Sequence, residues 1–96
     1  MGVHRVRTAG IAAELDVGEG SAKCMCGGVA YFDVRLDGGL RWVEQVSHDT
    51  IMFNFLDAAG LLVQTSVRSD NCLSVMDDIM QNCTPVPAAG RKRRGR

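Results

Sequence analysis

Between Val29 and Val75 the apolar positions fall in short runs, VAYFDVRL, LRWVEQVS, TIMFNFLD, LLVQTSVR and CLSVM, separated by DGG, HD, AAG and SDN. Breaks this short suit hairpin loops, so neighbouring runs are expected to pair antiparallel as a compact meander. In the first run Ala30, Phe32, Val34 and Leu36 alternate with Tyr31, Asp33 and Arg35, the period of a strand with one buried face. Leu40, Trp42 and Val46 share a face in the second, but Glu44 falls in register with them. That mismatch predicts a bulge or strong bend near Val43 and Glu44. In the third run Ile51, Phe53 and Phe55 oppose Met52, Asn54 and Leu56, and two largely apolar faces predict a central strand or one facing a partner subunit. The fourth sets Leu61, Val63, Thr65 and Val67 against Leu62, Gln64, Ser66 and Arg68, a half-buried strand.

The flanks are less regular. Residues 1–7 show no sustained period and read as irregular chain or a loosely attached strand. From Thr8 a short helix is expected: Thr8 can cap it, Ile11, Ala12 and Leu15 share a face, and Gly18 ends it. GEGSAKC is then a loop. Towards the C-terminus Leu73, Met76, Ile79, Met80 and Cys83 recur at helical spacing, favouring a helix capped by Asp70 or Asn71. The competing reading is a strand over Cys72 to Met76 followed by a helical turn. Thr84 to Pro87 stops either element. The expected class is mainly β (α+β): a small, strongly bent antiparallel meander of four or five strands, with a short N-terminal helix and, on the first of these readings, a C-terminal one. One domain over 1–87 and a disordered tail over 88–96 complete the expectation.

Length and charge refine this picture. Ninety-six residues make one core, and an apolar fraction of 46% is ordinary for a globular chain. The formal net charge of zero conceals an asymmetry: Arg91, Lys92, Arg93, Arg94 and Arg96 close the chain, while all 11 acidic residues lie at or before Asp78. An acidic body thus precedes a basic tail suited to phosphate contact or nuclear import. No apolar stretch has the length of a secretory signal or a membrane span, so an intracellular protein, soluble in nucleus or cytoplasm, is expected.

Candidate chemistry is sparse. Cys24, Cys26, Cys72 and Cys83 are the only thiols, and they lack the paired two-residue spacing of zinc knuckles; they read as thiols in a reducing compartment, with zinc as the lesser alternative. His48 beside Asp49 reads as a solvated turn rather than a catalytic pair. Asp77 and Asp78 diverge on a helix, and neither CGG nor DGG carries the lysine of a phosphate loop. No enzymatic activity and no cofactor are expected.

Two stretches resemble the motifs of the Sm and Sm-like RNA-binding family. DGGLRWVEQVSHDTIMFNFL places Asp49, Met52 and Leu56 in phase with the first motif, with Asn54 one place beyond that family's asparagine. VRSDNCLSV places Arg68 at the arginine of the second, with Ser69 in place of the following glycine. The resemblance implies a short helix followed by five bent strands that assemble edge to edge into rings. It would make the chain a non-enzymatic subunit of a hetero- or homo-oligomeric RNA-binding assembly. His48, Asp49, Ile51, Asn54, Arg68 and Asn71 would then surround a base, Ile51 and Arg68 by stacking and Asn54 by hydrogen bonding. The alternative, from the residues alone, is a stand-alone interaction protein, an adaptor or inhibitor that docks an apolar strand or the C-terminal helix on a protein partner.

Overall fold

In the computed structural model of the protein, residues 2–83 are described; the tail residues Arg91, Lys92, Arg93, Arg94 and Arg96 lie outside them. Seven strands precede one helix: β1 (Gly2–Thr8), β2 (Ile11–Gly18), β3 (Ser21–Cys26), β4 (Val29–Arg35), β5 (Leu40–Ser47), β6 (Thr50–Leu56), β7 (Leu62–Arg68) and α1 (Cys72–Asn82). All seven strands belong to one antiparallel sheet in the order β4-β3-β2-β1-β7-β6-β5.

The expected meander of four or five strands is thus corrected to seven, and it begins at the N-terminal end of the described chain. The helix expected from Thr8 to Gly18 is not formed: these residues close the β1–β2 hairpin, in continuous register from Gly2↔Val17 to Thr8↔Ile11. Burial explains why the strand period prevails. Val6 and Thr8 on β1, and Ala13, Leu15 and Val17 on β2, are buried at every second position, whereas Ile11, expected on the buried helical face, is 57% exposed. Ala9 (φ 50°) and Gly10 (φ 78°) supply the two positive dihedrals of a tight turn whose twist matches the strands. A second turn at Glu19 and Gly20 leads into β3, which occupies most of the expected GEGSAKC loop.

Asp37, Gly38 and Gly39 do not form the expected hairpin, because β4 and β5 lie at opposite ends of the strand order. They turn a corner between the two free edges. The corner is stitched by Leu36 N–H to the Gly20 carbonyl and Leu56 N–H to the Gly39 carbonyl, both 2.9 Å. For so short a link to join opposite edges, the sheet must curl over itself. Phe32 of β4 accordingly packs on β6, its ring centroid 4.8 Å from that of Phe53 and 6.0 Å from that of Phe55, with the ring planes tilted.

Bulges occur at Arg41 and Val46 of β5, on either side of the expected Val43 and Glu44. The first explains the mixed face of that run: it turns both Leu40 and Val43 to the core and leaves Trp42 on the opposite face of the strand, beside the buried Asn54. Tyr31 is the extra residue of a third bulge, on β4.

Asp70 to Cys83 resolves in favour of the helix, and the alternative strand over Cys72 to Met76 is absent. Cys72, Val75 and Ile79 form its buried face, and the helix packs against β2 and β6. β1 and β7 share a single register pair, Arg7↔Arg68, so most of that edge of β1 is open to α1. His4 Nε2 meets Asp78 Oδ2 at 2.7 Å, and Gly20 N–H donates to the Asn82 carbonyl at 2.8 Å. Among the described residues, no helix is long and apolar enough to cross a membrane.

Candidate functional site

The strand registers assemble one rim. Val29 pairs with Cys26, whose Sγ lies 3.8 Å from the Ala12 carbonyl; Ala12 pairs with Arg7, Arg7 with Arg68, Arg68 with Thr50, and Thr50 with Ser47. This row crosses all seven strands. Beyond it hang the turns at Ala9–Gly10, Gly27–Gly28 and His48–Asp49, together with the Ser69–Asn71 link into α1.

Asp49 organises the β6–β7 end of the rim. Its carboxylate accepts Arg68 Nη2 at 2.7 Å and the hydroxyls of Thr50 and Ser47 at 2.9 Å each. Its carbonyl accepts the Ser69 N–H at 2.9 Å. The Arg68 hydrogen bond, helped by the Thr50 and Ser47 hydroxyls, holds the Asp49 carboxyl well below the usual carboxylate range. His48 Nε2 is 3.9 Å from the same carboxylate, with its ring 91% exposed. The Ser47 and Thr50 hydroxyls bond the carboxylate directly rather than through an imidazole. Held well below the usual carboxylate range, Asp49 is a weak base for either hydroxyl.

The residues implied by the resemblance separate into two groups. His48, Asp49 and Arg68 come together, and Asn71 stands three residues beyond Arg68, its N–H donating to Ser69 Oγ at 3.0 Å. Ile51 does not join them: it is wholly buried in the core and offers no face to a base. Asn54 is equally covered, donating to the Trp42 carbonyl at 3.3 Å and accepting from Gln64 Nε2 at 2.8 Å. Nor do the cysteines converge. Among the described residues no group of three or more His, Cys, Asp or Glu side chains could hold a metal ion. Burial raises the thiol pKa of Cys24 to about 11 and also raises those of Cys72 and Cys83, which disfavours the thiolates that zinc requires.

Two recesses on the outer side of β1 complete the rim. One, of about 500 Å³, is bounded by Arg5, Ala12, Glu14, Met25 and the Gly27–Gly28 turn. The other, of about 390 Å³, is bounded by Arg5, Arg7, Ala12 and Ser69 to Asn71. Arg5, Val6 and Ala12 are common to both, so the two recesses adjoin as a groove across β1. Arg7 reaches Asp70 at 3.4 Å in a pair exposed on both sides, whereas the Arg5 side chain makes no hydrogen bond or ion pair within the described residues. The sequence reading missed this groove. Its signal was the alternation of Val3, Arg5 and Arg7 with His4, Val6 and Thr8, visible once residues 2–8 are taken as a strand.

Comparisons with protein-family models, curated proteins and solved structures yielded no match, so the reading of this chain rests on its own residues and geometry.

Proposed function

We propose that the chain is a non-enzymatic binding domain that engages a protein partner through the rim. The observation that carries this reading is the exposed apolar side chains at the strand ends along it: Ile11 of β2, Val29 of β4 and Val46 of β5 are 57%, 68% and 47% exposed. Large apolar side chains cost solubility when left in water, and exposed ones spaced along one end of a sheet beside a groove suit a docking surface. Assembly by strand addition has weaker support. β4 and β5, the two edges available for it, both carry bulges, which break the straight ladder an added strand needs.

RNA contact is the second reading, favoured by one specific observation. Arg68 has a 60% exposed side chain at the rim, at the position that the resemblance assigns to stacking on a base. Against it stand the burial of Ile51 and Asn54 and the engagement of Arg68 by Asp49.

A two-hybrid screen against a genomic library, followed by variants, separates the two. On the protein-docking reading, Ile11→Ser, Val29→Ser and Val46→Ser together abolish binding of a selected partner, while Leu61→Ser with Leu62→Ser, away from the rim, leaves it intact. The reading is lost if the two sets weaken partners equally. It is also lost if the chain binds single-stranded RNA in an Arg68-dependent manner and selects no protein.

A further inference from the structure

Deepening the protein-docking reading, on which it rests, we propose that the groove across β1 receives an extended peptide segment of the partner and anchors one carboxylate of that segment on Arg5. Three features of the groove lead to this ligand.

The first is an available cation. Arg5 borders both recesses and has no ion-pair partner within the described residues. Arg7, two residues along the same face of β1, is held only by the 3.4 Å contact to Asp70, whose side chain is 87% exposed. Same-face side chains on a strand are about 6.6 Å apart, so two guanidinium groups can bracket one carboxylate. Planar guanidinium groups bind carboxylates through paired, charge-assisted hydrogen bonds.

The second feature is the charge pattern around that cation. Glu14 stands directly opposite Arg5 in the β1–β2 register, and Asp70 lies beyond Arg7. Carboxylates on both sides repel a chain of phosphates, whose charges repeat along its length. A single carboxylate with neutral neighbours meets that repulsion only once, set against the attraction of Arg5 and Arg7. The charge pattern therefore favours a peptide over a nucleic acid strand.

The third is shape. Ala12 and Met25 give apolar surface for the residues flanking the carboxylate, and Gly27 and Gly28 border the groove without side chains. Crossing β3, β2 and β1 to reach Ser69 spans about 15 Å at roughly 4.8 Å per strand, the length of four to five extended residues.

The test is an NMR titration of the 15N-labelled full chain with the acetylated, amidated pentapeptide Leu-Ala-Asp-Ala-Leu, its Leu-Ala-Asn-Ala-Leu twin, and a hexamer of uridylate. The expected result is saturable shifts at Ala12, Met25, Gly27, Ser69 and Asn71 with the Asp peptide. Affinity should fall about tenfold for the Asn twin and for Arg5→Gln, and stay unchanged for Lys23→Gln, outside the groove. The Arg5 side chain has no hydrogen bond or ion pair to lose among the described residues, so the Arg5→Gln spectrum should otherwise match that of the wild type. Equal affinity for both peptides, saturation of these amides by the uridylate but not the peptide, or no saturable shift at millimolar peptide would each overturn the proposal. If a screened partner is lost with the three rim serines yet retained by Arg5→Gln, the docking reading stands and the carboxylate anchor falls.

Discussion

Arg68 Nη2 and Asp49 Oδ2 meet at 2.7 Å where the end of β7 passes the β5–β6 turn, and Ser69 N–H fastens the same turn through the Asp49 carbonyl. The pair closes the rim at the start of α1. Because folding depresses the Asp49 pKa, its stabilising contribution is complete above the unfolded value of about 3.9 and is lost as pH falls below it towards the lower folded value. Urea midpoints measured from pH 7 down to pH 3 should therefore fall for the wild type, and more shallowly for Asp49→Asn. An equally steep fall in both would show that this carboxylate does not govern the acid limb.

Gly39 should be the least replaceable glycine of the turns. Its φ of 128° is unfavourable for other residues, and an added Cβ would stand 2.8 Å from the Leu56 carbonyl oxygen. Gly60 also has positive φ, at 82°, but its Cβ would meet open space. Gly39→Ala should cost about 3 kcal/mol or more, and Gly60→Ala only the backbone term of about 1–2 kcal/mol. Denaturant unfolding of the two variants checks the difference.

Core and surface positions of α1, and the buried Ile51, provide a third comparison. Ile79→Ala and Ile51→Ala each empty a wholly buried site and should cost about 2–5 kcal/mol. Leu73, 82% exposed on the first turn, should change stability by no more than about 0.5 kcal/mol when replaced by Ala. A large loss at Leu73 with little at Ile79 would contradict the helical phase. A neutral Ile51→Ala would contradict its place in the core.

Cys24 sets an alkaline limit. Folding raises its thiol pKa from 9.0 to about 11, first by burial and then by the neighbouring Cys26. Its contribution is therefore full below about pH 9 and is lost as pH rises through 11. Thermal midpoints between pH 8 and pH 11 should fall for the wild type and fall less for Cys24→Ala. Native labelling with iodoacetamide should reach Cys26 before Cys24, Cys72 or Cys83, which are buried.

Local pattern carried much of the fold. The alternation of Phe32 and Val34, of Ile51, Phe53 and Phe55, and of Val63, Thr65 and Val67 marked β4, β6 and β7 because each has one face in the core and a period of two. The spacing of Leu73, Met76, Ile79 and Met80 marked α1 in the same way, although Leu73 and Met80 proved to be exposed members of the pattern. Some of the candidate site was legible too, since Arg68, Asp49 and His48 do come together. Ile51 and Asn54 were misplaced because a residue's period says which face it shares, not what covers that face. Ile11, Ala12 and Leu15 fit a helix as well as a strand over so short a span. Only pairing with β1 and β3, which satisfies the backbone and buries Ala13, Leu15 and Val17, selects the strand. The corner at Gly39, the closure by Phe32 on Phe53, and the groove on Arg5 depend on contacts between residues distant along the chain. Hydrophobic period records whether a side chain is buried, and the partners that bury it are chosen by long-range register and the curl of the whole sheet.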